Sequence, residues 1–176
     1  YIYLKPETAS ILTIRGAFPT FSYNQTNANI SGADFLLSYE PFLKLRFISK
    51  AAILKGMDVS NAIPLVFMPS NNLSNTVNLG LNDGEHFKSN ALSIEHKAVF
   101  RQINLNPDQD FLPTPDGYQL LNLAFNTSLA LKTKTLGFGI KVENALNVKY
   151  RDYLNRQRYF ADELGRNILM RLNYKF

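Results

Sequence analysis

LGFGIKVENALNVKYRDYLNRQRYFADELGRNILMRLNYKF, residues 136–176, carries the pattern that decides the fold. In its final segment Ile168, Met170, Leu172, Tyr174 and Phe176 share one parity, and Asn167, Arg171, Asn173 and Lys175 share the other, interrupted by Leu169. That is period two, the mark of a strand with one oily and one wet face. The preceding segment repeats it: Leu136, Phe138, Ile140, Val142 and Leu146 alternate with Gly137, Gly139, Lys141, Glu143 and Asn147. Two such strands joined by a long polar loop form a hairpin. Alternation alone does not say whether the oily face packs on a second sheet, as in a soluble sandwich, or turns outward to lipid, as in a membrane barrel.

Working outward, the same unit recurs along the chain. Residues 1–4 read as a strand stub and 5–16 as a loop containing Pro6. A long extended segment is expected over 18–39, polar on both faces from Asn24 to Gly32, with a short turn at Glu40-Pro41. Further strands are expected at 42–56, 72–82, 90–103, 117–131, 135–147 and 166–176. Short connections (40–42, 83–89, 132–135) alternate with long ones (5–16, 56–72, 104–117, 148–165), and no helical periodicity intervenes. This is an antiparallel up-and-down meander of seven strands plus the stub.

The wet parity is too charged for a core. Lys44, Arg46, Lys50, Glu95, Lys97, Arg101, Lys141, Glu143, Arg171 and Lys175 all fall on it. A one-layer soluble sheet needs helices over its oily face, and no segment reads as one. Lipid is the simplest cover, with Tyr39, Tyr174 and Phe176 near strand ends where interfacial aromatic girdles lie.

Composition trims the functional classes. The 176 residues are 45% hydrophobic and contain no cysteine, which removes disulfide scaffolds, thiolate zinc sites and thiol nucleophiles. No apolar run reaches the roughly 20 residues of a membrane helix, and no cleavable signal pattern opens the sequence. The net charge of +5 suggests an anionic partner such as nucleic acid or lipopolysaccharide, but the Lys and Arg residues are dispersed rather than clustered.

The closing hairpin resembles the C-terminus of TonB-dependent outer-membrane receptors. The resemblance rests on Val142, Asn144, Leu146, Asn147 and Tyr150, on Arg151 and Tyr153, on Gly165-Arg166 leading into the last strand, and on the final phenylalanine. Leu164 stands where that family often has proline, and Ala145 where a larger residue is usual. Upstream, Tyr23, Ala28 and Gly32 match a second family strand, with Asp34 in place of its acidic residue. The resemblance implies that residues 1–176 are the C-terminal slice of a transmembrane β-barrel of about 22 strands. The family's plug domain, TonB box and remaining barrel strands then lie outside this chain. Implied partners are outer-membrane lipid and lipopolysaccharide, the plug and those strands, the TonB complex through the absent N-terminal segment, and the barrel assembly machinery, which reads Tyr174 and Phe176. Nucleic acid and cofactors are not expected, and the long loops should face outside the cell.

Candidate chemistry is sparse. Glu95, Lys97 and Arg101 are expected on one lumen wall, as solvated residues or as guides to ligand passage. His86 and His96 fall on different elements and do not make a metal set. The run from Tyr150 to Arg158 interleaves Arg with Tyr, as single-strand nucleic-acid grooves do, but reads better as a rigid outer loop. Three classes stay open: an energy-coupled receptor for scarce nutrients such as siderophores or metal chelates, a small outer-membrane hydrolase, and an adhesive barrel. For a hydrolase the nearest pair, Ser93 and His96, lies on opposite parities.

Overall fold

The computed structural model describes residues 1–9, 18–131 and 134–176. Its strands are β1 (Ile2–Ala9), β2 (Phe18–Gln25), β3 (Ala28–Phe42), β4 (Leu45–Asp58), β5 (Ile63–Pro64), β6 (Asn72–Gly80), β7 (Phe87–Val99), β8 (Tyr118–Leu131), β9 (Lys134–Glu143) and β10 (Asn167–Lys175). Two short 3-10 turns, Pro107–Gln109 and Arg156–Tyr159, sit in the long loops. β1 and β2 form a separate two-stranded ribbon. The rest make one antiparallel sheet in the order β10-β9-β8-β7-β6-β4-β3, with β5 beside β4. The protein is therefore all-β and a sequential meander, as the alternation requires.

Strand register turns the one-dimensional alternation into two faces. Tyr39, Phe47, Val77, Ile94, Leu123, Val142 and Ile168 stand side by side across the whole sheet. The neighbouring row, on the other face, holds Ser38, Ile48, Thr76, Glu95 and Asn122. A slip of one residue on any strand would put its oily set into the wet row, so the pattern pins the register. The oily row begins near the turn end of β3 and finishes at the loop end of β10. Such a climb is the stagger of tilted strands in a barrel wall.

The oily face is uncovered. Phe35, Leu37, Tyr39, Phe47, Ile53, Met170 and Leu172 are all exposed, and no helix of the described residues is long and apolar enough to cross a membrane. On β8 the apolar side runs from Leu131 to Leu121 and stops at Gln119. Those ten steps span about 33 Å along the strand, or about 25 Å once tilted by roughly 40°, the height of a barrel's lipid-facing band. At the loop end of β7 and β8 the same face turns polar, with His96 Nε2 3.0 Å from Gln119 Oε1, and Ser49 Oγ donates to Asn75 Oδ1 at 2.8 Å between β4 and β6.

Several boundaries differ from expectation, each for a local reason. Residues 5–9 are strand rather than loop, with Pro6 opposite Phe21. A two-stranded ribbon leaves half its N–H groups unpaired, so a proline is tolerated there. The segment over 18–39 is two strands, broken at Thr26-Asn27. Glu40-Pro41 is a bulge inside β3, not a turn: the register shifts between Tyr39 and Phe42, and the chain reverses at Leu43-Lys44, where Lys44 adopts φ 77. β3 is an edge strand, which allows Pro41 to lack a donor. The strands expected at 90–103 and 135–147 end early, at Val99 and Glu143. The tip of the first long loop, residues 10–17, and residues 132–133 of the last short turn lie outside the described residues.

Candidate functional site

The loops after β4, β7 and β9 leave the same end of the sheet, and those after β4 and β9 pack on its wet face. Gly56 of β4 makes the first fold possible: a Cβ there would lie 2.8 Å from Leu65 Cδ1 and 2.9 Å from Met68 Sδ. Leu65 N donates to Gly56 O, and Leu65, Val66 and Met68 bury themselves with Tyr3, Leu54 and Ala28. Leu54, Gly56 and Ala28 lie on the wet parity. A second cluster repeats the arrangement, with Val99, Tyr118 and Leu120 of that parity carrying Val148 and Tyr150 of the last loop. Thr26 Oγ1 donates to Asp58 Oδ1 at 2.6 Å, tying the β1–β2 ribbon to the end of β4. That bond and those from Asn61 and from the N–H groups of Ser60 and Asn61 hold the Asp58 carboxyl below its usual range.

Above these anchors, side chains from three loops and the ribbon meet. Arg158 is 2% exposed and pairs with Asp110, whose side chain is equally buried. Its guanidinium also donates to Tyr153 O at 3.2 Å and Pro113 O at 3.4 Å, and stacks on the rings of Tyr159 and Tyr153 at 4.6 and 5.2 Å. Tyr159 donates to the second Asp110 oxygen, and Arg151 Nη1 donates to Arg158 O. Burial, then the bond to Asp110, pushes the Tyr159 phenol well above its ordinary pKa. Tyr118 behaves likewise: it is buried, donates to Asp152 Oδ2 at 2.7 Å and lies 4.2 Å from the Tyr150 ring. These tyrosines are neutral donors at any physiological pH.

Two clefts open beside the cluster. One, of about 390 Å³, is walled by Phe21, Phe111, Leu112, Tyr159 and Phe160. The other, of about 350 Å³, is walled by Tyr3, Tyr23, Phe67 and Leu154. Arg156 borders both, its guanidinium 4.9 Å from the Phe21 ring centre and 5.6 Å from that of Phe67.

The residues singled out from the sequence are distributed differently. Glu95 is on the wet face, accepting from Ser74 Oγ at 2.8 Å and Asn122 Nδ2 at 2.9 Å, and Lys97 is two residues along on the same face. Arg101 is beyond the end of β7. It clips the base of its loop through Thr114 Oγ1 and Asp116 Oδ1, so the three do not form one strand face. Tyr174 is on β10 beneath Lys134, and Phe176 is 94% exposed. Ser93 and His96 do point to opposite faces. Among the described residues no group of three or more His, Cys, Asp or Glu side chains could hold a metal ion. The Tyr150 to Arg158 run lies in the loop between β9 and β10, held by the Arg158 contacts described above. Phe21, Phe67, Asp110 and Phe111, which complete it, escaped the sequence reading because they come from the ribbon and from two other loops.

No family model matches the chain, and no curated protein does. Among solved structures the fold is similar to that of a protein named copper transporter OprC, with a TM-score of 0.77 at 15% identity, over 99% of this chain and 27% of that one. The likeness is one of fold, and the chain spans about a quarter of the other's length.

Proposed function

We propose that this chain is part of the barrel wall of an outer-membrane transporter that takes up a scarce nutrient, such as a siderophore or metal chelate, at the expense of energy delivered by TonB. The observation that carries the reading is the sheet-wide apolar face, about 25 Å tall, left uncovered on a sheet whose other face is charged and roofed by loops. A similar fold in a transporter about four times as long supports a slice of a larger barrel. The long free edges of β3 and β10 support it too, because unpaired edges of that length call for neighbouring strands.

In this reading residues 1–176 are the C-terminal part of the barrel, and a plug, further strands and a TonB-contacting segment belong to the rest of the protein. Glu95 and Lys97 line the passage, Arg101 braces a loop at its mouth, and lipid and lipopolysaccharide surround the outer face. Tyr174 and Phe176 are recognised by the barrel assembly machinery. Phe176 ends the oily row of β10, with the Tyr174 ring 6.3 Å away.

The test is uptake by cells carrying the full-length protein. Growth on a sole source of chelated iron or another scarce nutrient should depend on the protein and stop when the proton gradient is collapsed. Accumulation that persists without the gradient would remove the energy coupling and leave a passive or adhesive barrel.

A further inference from the structure

Two neighbouring cations of the last loop, Arg156 and Arg158, have opposite circumstances. Arg158 is enclosed and neutralised by Asp110. Arg156, two residues away, is exposed and has no acidic partner among the described residues; aromatic rings hold it in place. Its stem and plane are fixed by Phe21 and Phe67 while its charge stays available at the border of two aromatic clefts. Each cleft has the volume of a small-molecule subsite, about 300 Å³ or more. Both are walled by the β1–β2 ribbon and by loops packed at the wet face, so a molecule seated there is on the passage side and not on the lipid side.

We propose that Arg156 and the cleft of Phe21, Phe111, Tyr159 and Phe160 form a binding subsite for a small anionic ligand bearing a planar aromatic ring. The ring lies against Phe111 and Phe160, and the carboxylate, sulfonate or phenolate accepts hydrogen bonds from the Arg156 guanidinium. A planar guanidinium suits such a group because it donates in a two-pronged fashion. Tyr159 is spoken for by Asp110, so its ring contributes a wall and not a donor. The subsite rests on the transport reading for its biological meaning but not for its chemistry. Binding can therefore be tested apart from uptake.

The experiment is equilibrium binding of naphthalene-2-sulfonate and of the neutral naphthalene-2-methanol to the full-length protein in detergent, comparing wild type, Arg156→Gln and Phe111→Leu. Arg156→Gln should weaken the sulfonate at least about tenfold, the loss expected for a hydrogen bond to a charged group, and change the neutral compound less than about twofold. Phe111→Leu should weaken both. Arg156 is exposed, so its variant should keep the heat-resistant folded form. Arg156→Lys, which keeps charge but not the planar fork, should fall between. Equal sulfonate binding by wild type and Arg156→Gln, or no binding by wild type, overturns the subsite. Energy-dependent uptake that persists in that case would leave the transport reading standing.

Discussion

Arg158 and Asp110 lie 48 residues apart in the sequence and meet as an ion pair with both side chains 2% exposed. The pair joins the last loop to the loop between β7 and β8 at a point from which water is excluded. Charges that deep are tolerated because each is fully used: Asp110 accepts from Arg158 and Tyr159, and Arg158 reaches two further backbone carbonyls.

Removing one partner should therefore cost far more than a surface pair. Asp110→Ala leaves an uncompensated buried guanidinium, a loss of about 3–5 kcal/mol. The loss should be local to the loops, whose amides should exchange hydrogen faster, while the strands keep their protection. The exposed pair Arg151–Asp162 should be worth about 1 kcal/mol or less when Asp162 is replaced by Ala.

Alkali should loosen the same region. Tyr118 and Tyr159 have pKa values raised by burial and by their carboxylate partners, from an ordinary value of 10.0. The folded state holds these protons when the unfolded state has begun to lose them, so the tyrosines' contribution to loop stability is complete below about pH 10 and declines above it. Protease resistance of the loops should fall as pH rises beyond that point. Tyr118→Phe should lower resistance at neutral pH and reduce its dependence on alkali. A loop that loosens equally in the variant contradicts the assignment.

Much of the wall was legible in the sequence, and little of the mouth. Residues such as Leu123 and Asn122 declare their faces because a strand's side chains alternate whatever it pairs with. The same logic misplaced Pro41 and Pro6, since proline tolerance depends on whether a strand lies at an edge, which is a property of neighbours. Arg158 could be seen as one of a Tyr- and Arg-rich run. That it is buried while Arg156 is not depends on Asp110 and Phe21, brought in by other loops, and no local pattern encodes that.

Phe176 offers a kinetic test. If its ring were an interfacial anchor, Phe176→Ala would weaken the detergent-refolded full-length barrel by about 1.5–3 kcal/mol. The assembly reading expects nearly unchanged stability in detergent but slower insertion and degradation in cells. Normal insertion of the variant would end that reading.

The central claim is that the odd-numbered side chains of β8 face lipid, and its most direct test exploits the absence of cysteine from residues 1–176, any cysteine elsewhere in the full-length protein being replaced first. Single cysteines placed at each position from 121 to 129 of the full-length protein in bilayers would carry spin labels, read for collision with oxygen and with a water-soluble nickel chelate. Labels at 121, 123, 125, 127 and 129 should favour oxygen, and those at 122, 124, 126 and 128 should not, with a period of two. Uniform exposure to the nickel reagent, or preference for oxygen at the even positions, would contradict the membrane wall.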